Sequence, residues 1–305
     1  MSPAKAIEID AGGRPVRITS PDKVLFPRDG ITKLDLVRYY LDVAPILLPQ
    51  VKGRPLTMRP FPDGIDHEAY YRRNTPKGAP PWLRGYTYKP NSRPGSTTTS
   101  PIVDDEAGLA WLANYNAIEV HPWTSRVDRI DRPDCLVFDL DQHQGGSLDD
   151  VRAAALLVRD GLTELGLDPY PKTSGGAGMH VVAPIERRYG FDEAKAWMKD
   201  FCDRLVERRP ELVTTEYTIA DRGGRVLLDW AQNSFGKSTV APYSVRPRDG
   251  APVSTPLQWD EVEAGGWRPA DFNISTIRER INEKGDLFAG LLAGGGRLRQ
   301  LAASA

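Results

Sequence analysis

The sequence predicts a mixed α/β (α+β) fold, and three kinds of stretch predict it. Short apolar runs with period two, at 135–141, 179–184 and 226–230, have the length and composition of strands. Longer stretches with helical spacing begin at Thr32, Ser147 and Asp192, residues that cap or open helices. A glycine-rich loop, Ser174-Gly175-Gly176-Ala177-Gly178, leads directly into one of the strands. At 305 residues the chain can bury a large core. It shows no internal repeat, low-complexity tract or clear linker, so it reads as one domain over 1–305, with a basic N-terminal part of about 1–95 and a core of about 100–290.

Composition narrows the class. Hydrophobic residues make up 40% of the chain and charged residues 27%, the balance of a folded globular protein. No apolar stretch approaches a membrane span, and the N-terminus lacks the basic-then-apolar layout of a signal peptide. A soluble cytoplasmic protein with no membrane partner is expected. The two cysteines, Cys135 and Cys202, form neither a zinc pattern nor a disulfide framework and read as packing residues. The net charge of −1 hides a split, because residues 1–95 carry 16 Lys and Arg against 9 Asp and Glu. A basic part joined to an acidic remainder suits an enzyme that grips a polyanion and holds metal through carboxylates.

Taken in order, Ile7-Glu8-Ile9 and Val16-Arg17-Ile18-Thr19 around Gly12-Gly13-Arg14-Pro15 predict an opening hairpin. After a loop at 20–27, Thr32 caps a helix with Leu34, Val37, Leu41, Ala44 and Leu48 at helical spacing, bent or ended near Pro45. Lys23 and Lys33 then flank a loop and a helix N-terminus, where charge and free backbone N–H groups can hold a phosphate; two solvated lysines fit the same pattern. A strand at 56–61 precedes Tyr70-Tyr71-Arg72-Arg73. These are paired aromatics and arginines that can stack on bases and grip phosphates, or else a strand with one tyrosine inward and one outward. Residues 75–99 read as a long loop of the kind that carries function. A short helix at 108–114 and a strand at 118–123 bring in His121.

The strand Cys135-Leu136-Val137-Phe138-Asp139-Leu140-Asp141 turns acidic as it ends. Strand residues i and i+2 share a face, so Asp139 and Asp141 stand side by side while Phe138 and Leu140 point into a core. Such carboxylates repel unless a proton or a divalent cation lies between them, and oxygen donors suit Mg²⁺ or Mn²⁺ rather than Zn²⁺. Two solvated aspartates, turning at Gln142-His143-Gln144-Gly145-Gly146, satisfy the same pattern. Ser147 with Asp150 starts a helix bearing Leu148, Val151, Ala155, Val158, Leu162 and Leu165, closed by Gly166. The loop from Lys172 to His180 can cradle phosphates with its backbone, although it lacks the Gly-Lys-Ser/Thr ending of a Walker A loop. A helix from Asp192 carries Ala194, Trp197, Phe201 and Leu205 on one face. The run 226–230 repeats the plan of an apolar strand ending in a carboxylate, Asp229, with Lys237 and Arg246 supplying cations close behind. A final helix is expected over about 275–292.

In this order the motifs resemble one family. They are Asp-Lys-Val-Leu-Phe-Pro at 22–27, Thr-Lys opening a helix at 32, Tyr-Tyr-Arg-Arg at 70–73, Ala-Ile-Glu-Val-His-Pro-Trp at 117–123 and Val-Phe-Asp-Leu-Asp at 137–141. Lys-Thr-Ser-Gly-Gly-Ala-Gly-Met-His at 172–180, Leu-Leu-Asp-Trp-Ala-Gln-Asn at 227–233, Lys-Ser-Thr-Val-Ala-Pro-Tyr-Ser-Val-Arg at 237–246 and Gly-Ala-Pro-Val-Ser-Thr-Pro-Leu at 250–257 complete the set. The succession resembles the polymerase module of bacterial DNA ligase D, within the archaeo-eukaryotic primase superfamily, from about 20 to about 286.

The resemblance implies a primase-type catalytic core with a central β-sheet and an RRM-like half. It also implies a DNA-dependent nucleotidyltransferase that fills short gaps or extends ends in bacterial DNA repair and accepts ribonucleotides readily. Asp139, Asp141 and Asp229 match the carboxylates that hold two Mg²⁺ or Mn²⁺ ions in that family. Ser174 and His180, with Lys172 and Gly175 beside them, match its nucleotide-phosphate motif, and Arg222, Gln232, Lys237 and Arg246 fall on its nucleotide-side polar groups. His121 matches a histidine beside the nucleotide sugar and primer end. Lys23 and Lys33 match lysines that hold the 5′-phosphate of the downstream strand. Tyr70 and Tyr71, followed by Arg72 and Arg73, stand where paired phenylalanines stack near the template. Ala177 departs from the family, which commonly has Lys there; Lys172 or Lys237 can compensate.

The implied partners are gapped or broken DNA with a 5′-phosphate, NTP and dNTP substrates, a separate DNA ligase and an end-binding protein, at the nucleoid. With no Lys-x-Asp-Gly adenylation motif in the chain, a stand-alone member is expected. Two other readings share the residues. A metal-dependent nuclease also uses three carboxylates and two metals, and would release label from DNA without added nucleotide. A catalytically weak gap- or end-binding repair factor would bind 5′-phosphorylated gaps without incorporation, and Ala177 alone favours it.

Overall fold

A computed structural model of the chain describes residues 6–90, 95–141 and 146–301. The turn expected after Asp141 lies at 142–145, outside the described residues, as do positions 91–94 of the expected 75–99 loop. The chain divides into two compact units: Met1–Trp123 with Ser238–Ser254 and Ala270–Gly285, and Thr124–Lys237 with Thr255–Pro269 and Asp286–Ala305. Each is assembled from separated segments, so no single linker marks the division.

In the first unit, β1 (Ala6–Ala11) and β2 (Arg14–Thr19) form the expected antiparallel hairpin. Gly12 and Gly13 make its turn at φ values of 65° and 82°, which glycine adopts without a Cβ clash. Strands β3 (Val24–Phe26) and β4 (Ile31–Thr32) pair next, and α1 (Lys33–Asp42) follows with Thr32 and Asp35 closing a capping box. The inward face of α1 is Leu36, Val37 and Tyr40, while Leu34 and Leu41 are only half-buried. Of the two outcomes expected near Pro45, a bend or an end, the helix ends, at Asp42, and is not bent by Pro45. It stands in the first turn of α2 (Ala44–Val51), where its missing N–H removes no helical bond.

Strand β5 (Leu56–Pro60) pairs antiparallel with a strand some sixty residues on, and β6 (Arg84–Tyr88) with β7 (Thr98–Ile102). The stretch 75–99 is therefore not all loop. Thr87 and Thr99 bond across β6 and β7 at 2.8 Å, and Tyr86 and Tyr88 stack with ring centres 6.2 Å apart. Helix α3 (Glu106–Asn114), capped by Asp105, leads into β8 (Ala117–Pro122), the partner of β5. The core of this unit includes Ile18, Phe26, Leu36, Tyr40, Met58 and Ile118.

The second unit centres on three antiparallel strands in the order β10 (Tyr170–Thr173), β11 (Met179–Pro184), β9 (Cys135–Leu140). Between β9 and β10 runs α4 (Leu148–Glu164), opened by the Ser147 and Asp150 capping box. Helix α5 (Phe191–Arg208) turns Ala194, Met198, Phe201 and Leu205 inward. Trp197 is half-buried; it stacks on Phe201 at 5.2 Å and donates from Nε1 to the Arg299 carbonyl at 2.8 Å.

Strands β12 (Val213–Thr214) and β13 (Val226–Leu227) pair in parallel, and α6 (Trp259–Ala264) completes the unit. The strand expected to end in Asp229 thus stops at Leu227. Asp229 instead caps the 3₁₀ helix Trp230–Asn233, because its carboxylate accepts from the Gln232 N–H.

The final helix is also shorter than expected. In the first unit α7 (Ile277–Lys284) stops at Gly285, whose φ of 71° ends it, and Ala289–Leu292 is a separate 3₁₀ turn. Among the described residues the strands form one three-stranded and five two-stranded sheets. No helix among them is long and apolar enough to cross a membrane. Cys135 and Cys202 are both buried free thiols.

Candidate active site

The three-stranded sheet aligns part of the predicted set. In its register Lys172 lies opposite His180, and His180 opposite Asp139. Directly opposed residues share a face, so these side chains form one row across β10, β11 and β9. His180 Nε2 is 3.1 Å from Asp139 Oδ1, with His180 buried and the aspartate partly open. Asp141, two residues on, is exposed and stands just past the strand, which stops at Leu140 rather than at 141 as expected. Lys172 is only 2% exposed, a burial that lysine rarely accepts without a partner.

The glycine loop is folded by Ser174. Its Oγ accepts from the N–H groups of Gly176 at 3.2 Å and Gly178 at 3.1 Å, while its own N–H donates to the Gly178 carbonyl. A hydroxyl with both acceptor positions engaged still has its proton to donate. Gly175 supplies the left-handed residue of the turn, at φ 69°. Gly178 is required by close approach, since a Cβ there would press on the Leu140 carbonyl and come within 2.7 Å of Asp141 Oδ1.

Asp229 reaches this neighbourhood through Asn233. The buried Asn233 amide accepts from Val137 N–H at 2.9 Å and donates to Val137 C=O at 2.8 Å, which docks the 3₁₀ helix on the free edge of β9. The Asp229 carboxylate itself accepts from the Tyr217 hydroxyl at 2.8 Å. Arg222 donates to the carbonyls of Glu216 and Tyr217, so it secures the loop that carries this tyrosine. Gln232 contributes its backbone N–H to Asp229, and Lys237 is exposed beyond it.

The donor set fits a hard divalent cation. It offers carboxylate oxygens without thiolate, from Asp139 on β9 and from Asp141 just past its end, with the Gly178 cradle held clear beside Asp141. Among the described residues, no three His, Cys, Asp or Glu side chains already converge as a metal-holding group. Asp229 is turned toward Tyr217.

In the first unit, His121 and Arg246 share a partner that sequence reasoning missed. Glu119 is fully buried on β8, with Arg246 Nε 3.0 Å from its Oε1, and with Arg59 Nη1 at 3.2 Å and His121 Nε2 at 3.6 Å from its Oε2. Burial pushes this carboxyl upward, but pairing with His121 and the charges of Arg246 and Arg59 outweigh it and hold it below the usual carboxylate range. The signal was present in the sequence as an acid two residues before the histidine in an otherwise apolar strand, a spacing that places both on one face. Tyr217 and Asn233 carried no such signal.

Lys23 and Lys33 are neighbours, as expected, but the helix terminus between them is not open. The N–H groups of Lys33 and Leu34 donate to the carbonyls of Lys23 and Pro21, and that of Asp35 donates to Thr32 Oγ1. An anion here would be held by side-chain charge rather than by free backbone donors. Lys33 Nζ donates to the Thr19 carbonyl at 2.8 Å; Lys23 Nζ donates to the Pro62 carbonyl and lies 3.5 Å from Asp63. Burial first, and the Lys23 charge second, pull Lys33 down to about 8.

Tyr70 and Tyr71 are 47% and 61% exposed, so neither points inward as the plain strand reading required. Tyr71 lies against Arg59, 5.2 Å from ring centre to guanidinium, and meets His121 edge-on at 5.7 Å. Arg72 is tied to Asn74 and to the β5 backbone at Met58, whereas Arg73 is exposed.

Comparison with known proteins identifies the family. The family model described as "LigD, primase-polymerase domain" matches residues 32–288. The multifunctional non-homologous end joining protein LigD of Mycolicibacterium smegmatis is 38% identical over 280 residues, 90% of this chain and 36% of that protein. The bifunctional LigD of Bacillus subtilis is 32% identical over 279 residues, 90% of this chain and 43% of that protein. The chain thus spans well under half the length of these curated relatives. Among solved structures, the polymerase domain of Mycobacterium tuberculosis ligase D in complex with DNA superposes with a TM-score of 0.85 at 35% identity, covering 92% of this chain and 99% of that one. An α/β fold of small sheets, a sheet face bearing His180 and Asp139, and a match over most of the sequence lead to one conclusion: the chain belongs to the LigD primase-polymerase domain family.

Proposed function

We propose that this domain is a DNA-dependent nucleotidyltransferase that extends a primer into short gaps or from broken ends in bacterial DNA repair. The observation that carries the reading is the row Lys172, His180, Asp139 across one sheet, with Asp141 two residues further along the chain, just past the end of β9. A cation, an imidazole and two carboxylates in line can face the phosphates of a nucleotide and a primer end together. The end-joining relatives and the DNA in the superposed mycobacterial structure support DNA as the template.

Asp139, Asp141 and Asp229 would hold two Mg²⁺ or Mn²⁺ ions through carboxylate oxygens. Bound there, such ions acidify a primer 3′-hydroxyl and neutralise charge on a triphosphate. His180 fixes the orientation of the Asp139 carboxylate through their 3.1 Å pairing. Ser174 shapes the loop beside Gly175 and keeps an O–H proton for a phosphate oxygen. Lys172 supplies on the sheet the positive charge that Ala177 does not supply in the loop. Arg222 keeps the Tyr217 loop in place, and through that tyrosine the Asp229 carboxylate, while Gln232 and Lys237 serve the nucleotide side. His121 and Arg246 receive the nucleotide, ribonucleotides included. Lys23 and Lys33 hold a downstream 5′-phosphate, and the exposed rings of Tyr70 and Tyr71, with Arg72 and Arg73, meet the DNA bases and backbone. The working place is the bacterial cytoplasm at the nucleoid, beside an end-binding protein and a ligase that seals the product.

Primer extension on a gapped duplex with Mn²⁺ tests the reading. Asp139→Ala is expected to lower incorporation by about 10²-fold or more, the scale of losing a group that stabilises developing charge. Equal activity in the two proteins would end it.

A further inference from the structure

Glu119 has no part in the roles assigned above. A fully buried carboxylate is costly unless it is paired, and an apolar residue would pack β8 more cheaply. What this charge supplies is geometry. Arg59 stands directly across the ladder from it, His121 follows two residues later on the same strand, and Arg246 closes on its other oxygen. Arg59 in turn lies under the exposed ring of Tyr71, whose ring meets His121 edge-on. One carboxylate is thus the shared partner of three side chains from three segments. Two guanidinium groups against one acid also leave the cluster net positive, so it still attracts a triphosphate.

We propose that Glu119 is the positioning residue of the nucleotide-side group: its charge holds His121 and Arg246 in the orientation that receives the incoming nucleotide, and through Arg59 it steadies the stacking ring of Tyr71. The inference rests on the reading that His121 and Arg246 contact the nucleotide.

The test uses the full chain and Glu119→Gln, which keeps the shape of the side chain and removes its charge. Nucleotide affinity is measured with a fluorescent NTP and Mn²⁺, alongside the preference for gaps bearing a 5′-phosphate over a 5′-hydroxyl. Affinity for the nucleotide is expected to fall about tenfold, while the phosphate preference stays unchanged. In a His121→Ala, Arg246→Ala background the same change is expected to cost less than about twofold, because the groups through which Glu119 acts are gone. A purely structural glutamate would cost the same in both backgrounds, and that result overturns the proposal. If Glu119→Gln leaves nucleotide binding intact while His121→Ala and Arg246→Ala weaken it, the positioning role fails and the nucleotide reading stands. If neither of those two variants weakens it, both fall. Should Glu119→Gln not fold, Glu119→Asp keeps the charge but withdraws it by one methylene; a loss of about threefold supports the role, and unchanged affinity refutes it.

Discussion

Asp229 illustrates how one carboxylate can be prepared and restrained by its neighbours. Its Oδ1 accepts from both the Tyr217 hydroxyl and the Gln232 N–H. Burial, then the bond to Asp229, push the phenol well above its ordinary value, so Tyr217 stays a donor throughout the working range. Tyr217→Phe removes one competitor for that oxygen. The half-saturating Mn²⁺ concentration, read from water-proton relaxation without substrates, is expected to drop by about three- to tenfold. A rise would mean that the hydroxyl aligns the carboxylate for the metal instead. Gly178→Ala should act in the opposite direction. Its Cβ would press on the Leu140 carbonyl and on Asp141, so both extension rate and melting temperature are expected to fall, the latter by the equivalent of about 1–3 kcal/mol. Asp139 and Asp141 were legible as a pair because period two is a local rule, and His180 because it ends a motif that resembles the family's; that His180 would stand opposite Asp139 depends on the pairing of β11 with β9. The sequence concealed Tyr217 and Asn233, whose partners lie across loops and on another strand edge.

The element that most changes its meaning is the start of α1. The Thr32 cap was legible, since a capping box is written in four consecutive residues, yet the same sequence could not say that Pro21 and Lys23 would occupy the helix's first N–H groups. An anion at this pair of lysines would then be held by charge alone. With Lys33 pulled from 10.5 to about 8, the native state holds its proton less tightly than the unfolded chain. That penalty is fully present below pH 8 and fades as pH rises toward 10.5, so this group's contribution to stability increases across the window. Binding runs the other way. Affinity for a gap with a 5′-phosphate should decline from pH 7 to 9 as Lys33 loses its charge, with little change for a 5′-hydroxyl gap. Lys23→Ala should weaken phosphate-dependent binding about tenfold, reduce the salt slope by about one, and move the decline to somewhat higher pH because Lys33 loses the smaller of the two causes that depress it while its burial remains. A fluorescence-anisotropy titration across pH and salt checks all three. Elsewhere the limits have similar causes. Strand β6 was hidden in a stretch of Pro, Gly and Thr because its residues become a strand only by pairing with β7, and the expected final helix ran past Gly285, which stops α7.

At the scale of the molecule, two units are woven from one chain. The first closes only when 238–254 and 270–285 rejoin 1–123. Tyr39 donates to the Tyr243 carbonyl at 2.7 Å, and Val253 donates to Phe272 at 2.8 Å, bonds that residues 1–123 cannot make alone. A fragment of 1–123 is therefore expected to show no cooperative melting, whereas the whole chain does; calorimetry distinguishes the two. Family membership was legible because nine motifs recur in order, but the two-unit partition was not, since strand and helix signals do not reveal which returning segment completes which body.

The late return of Tyr243 also sets a timetable for synthesis. At roughly 5–20 residues per second, on the order of ten seconds separates the appearance of Trp123 at the ribosome from that of Tyr243. During that interval the nascent N-terminal portion is made but unfinished, with its tyrosine hydroxyl awaiting an acceptor not yet translated. A chaperone or a slow codon would have its greatest effect there.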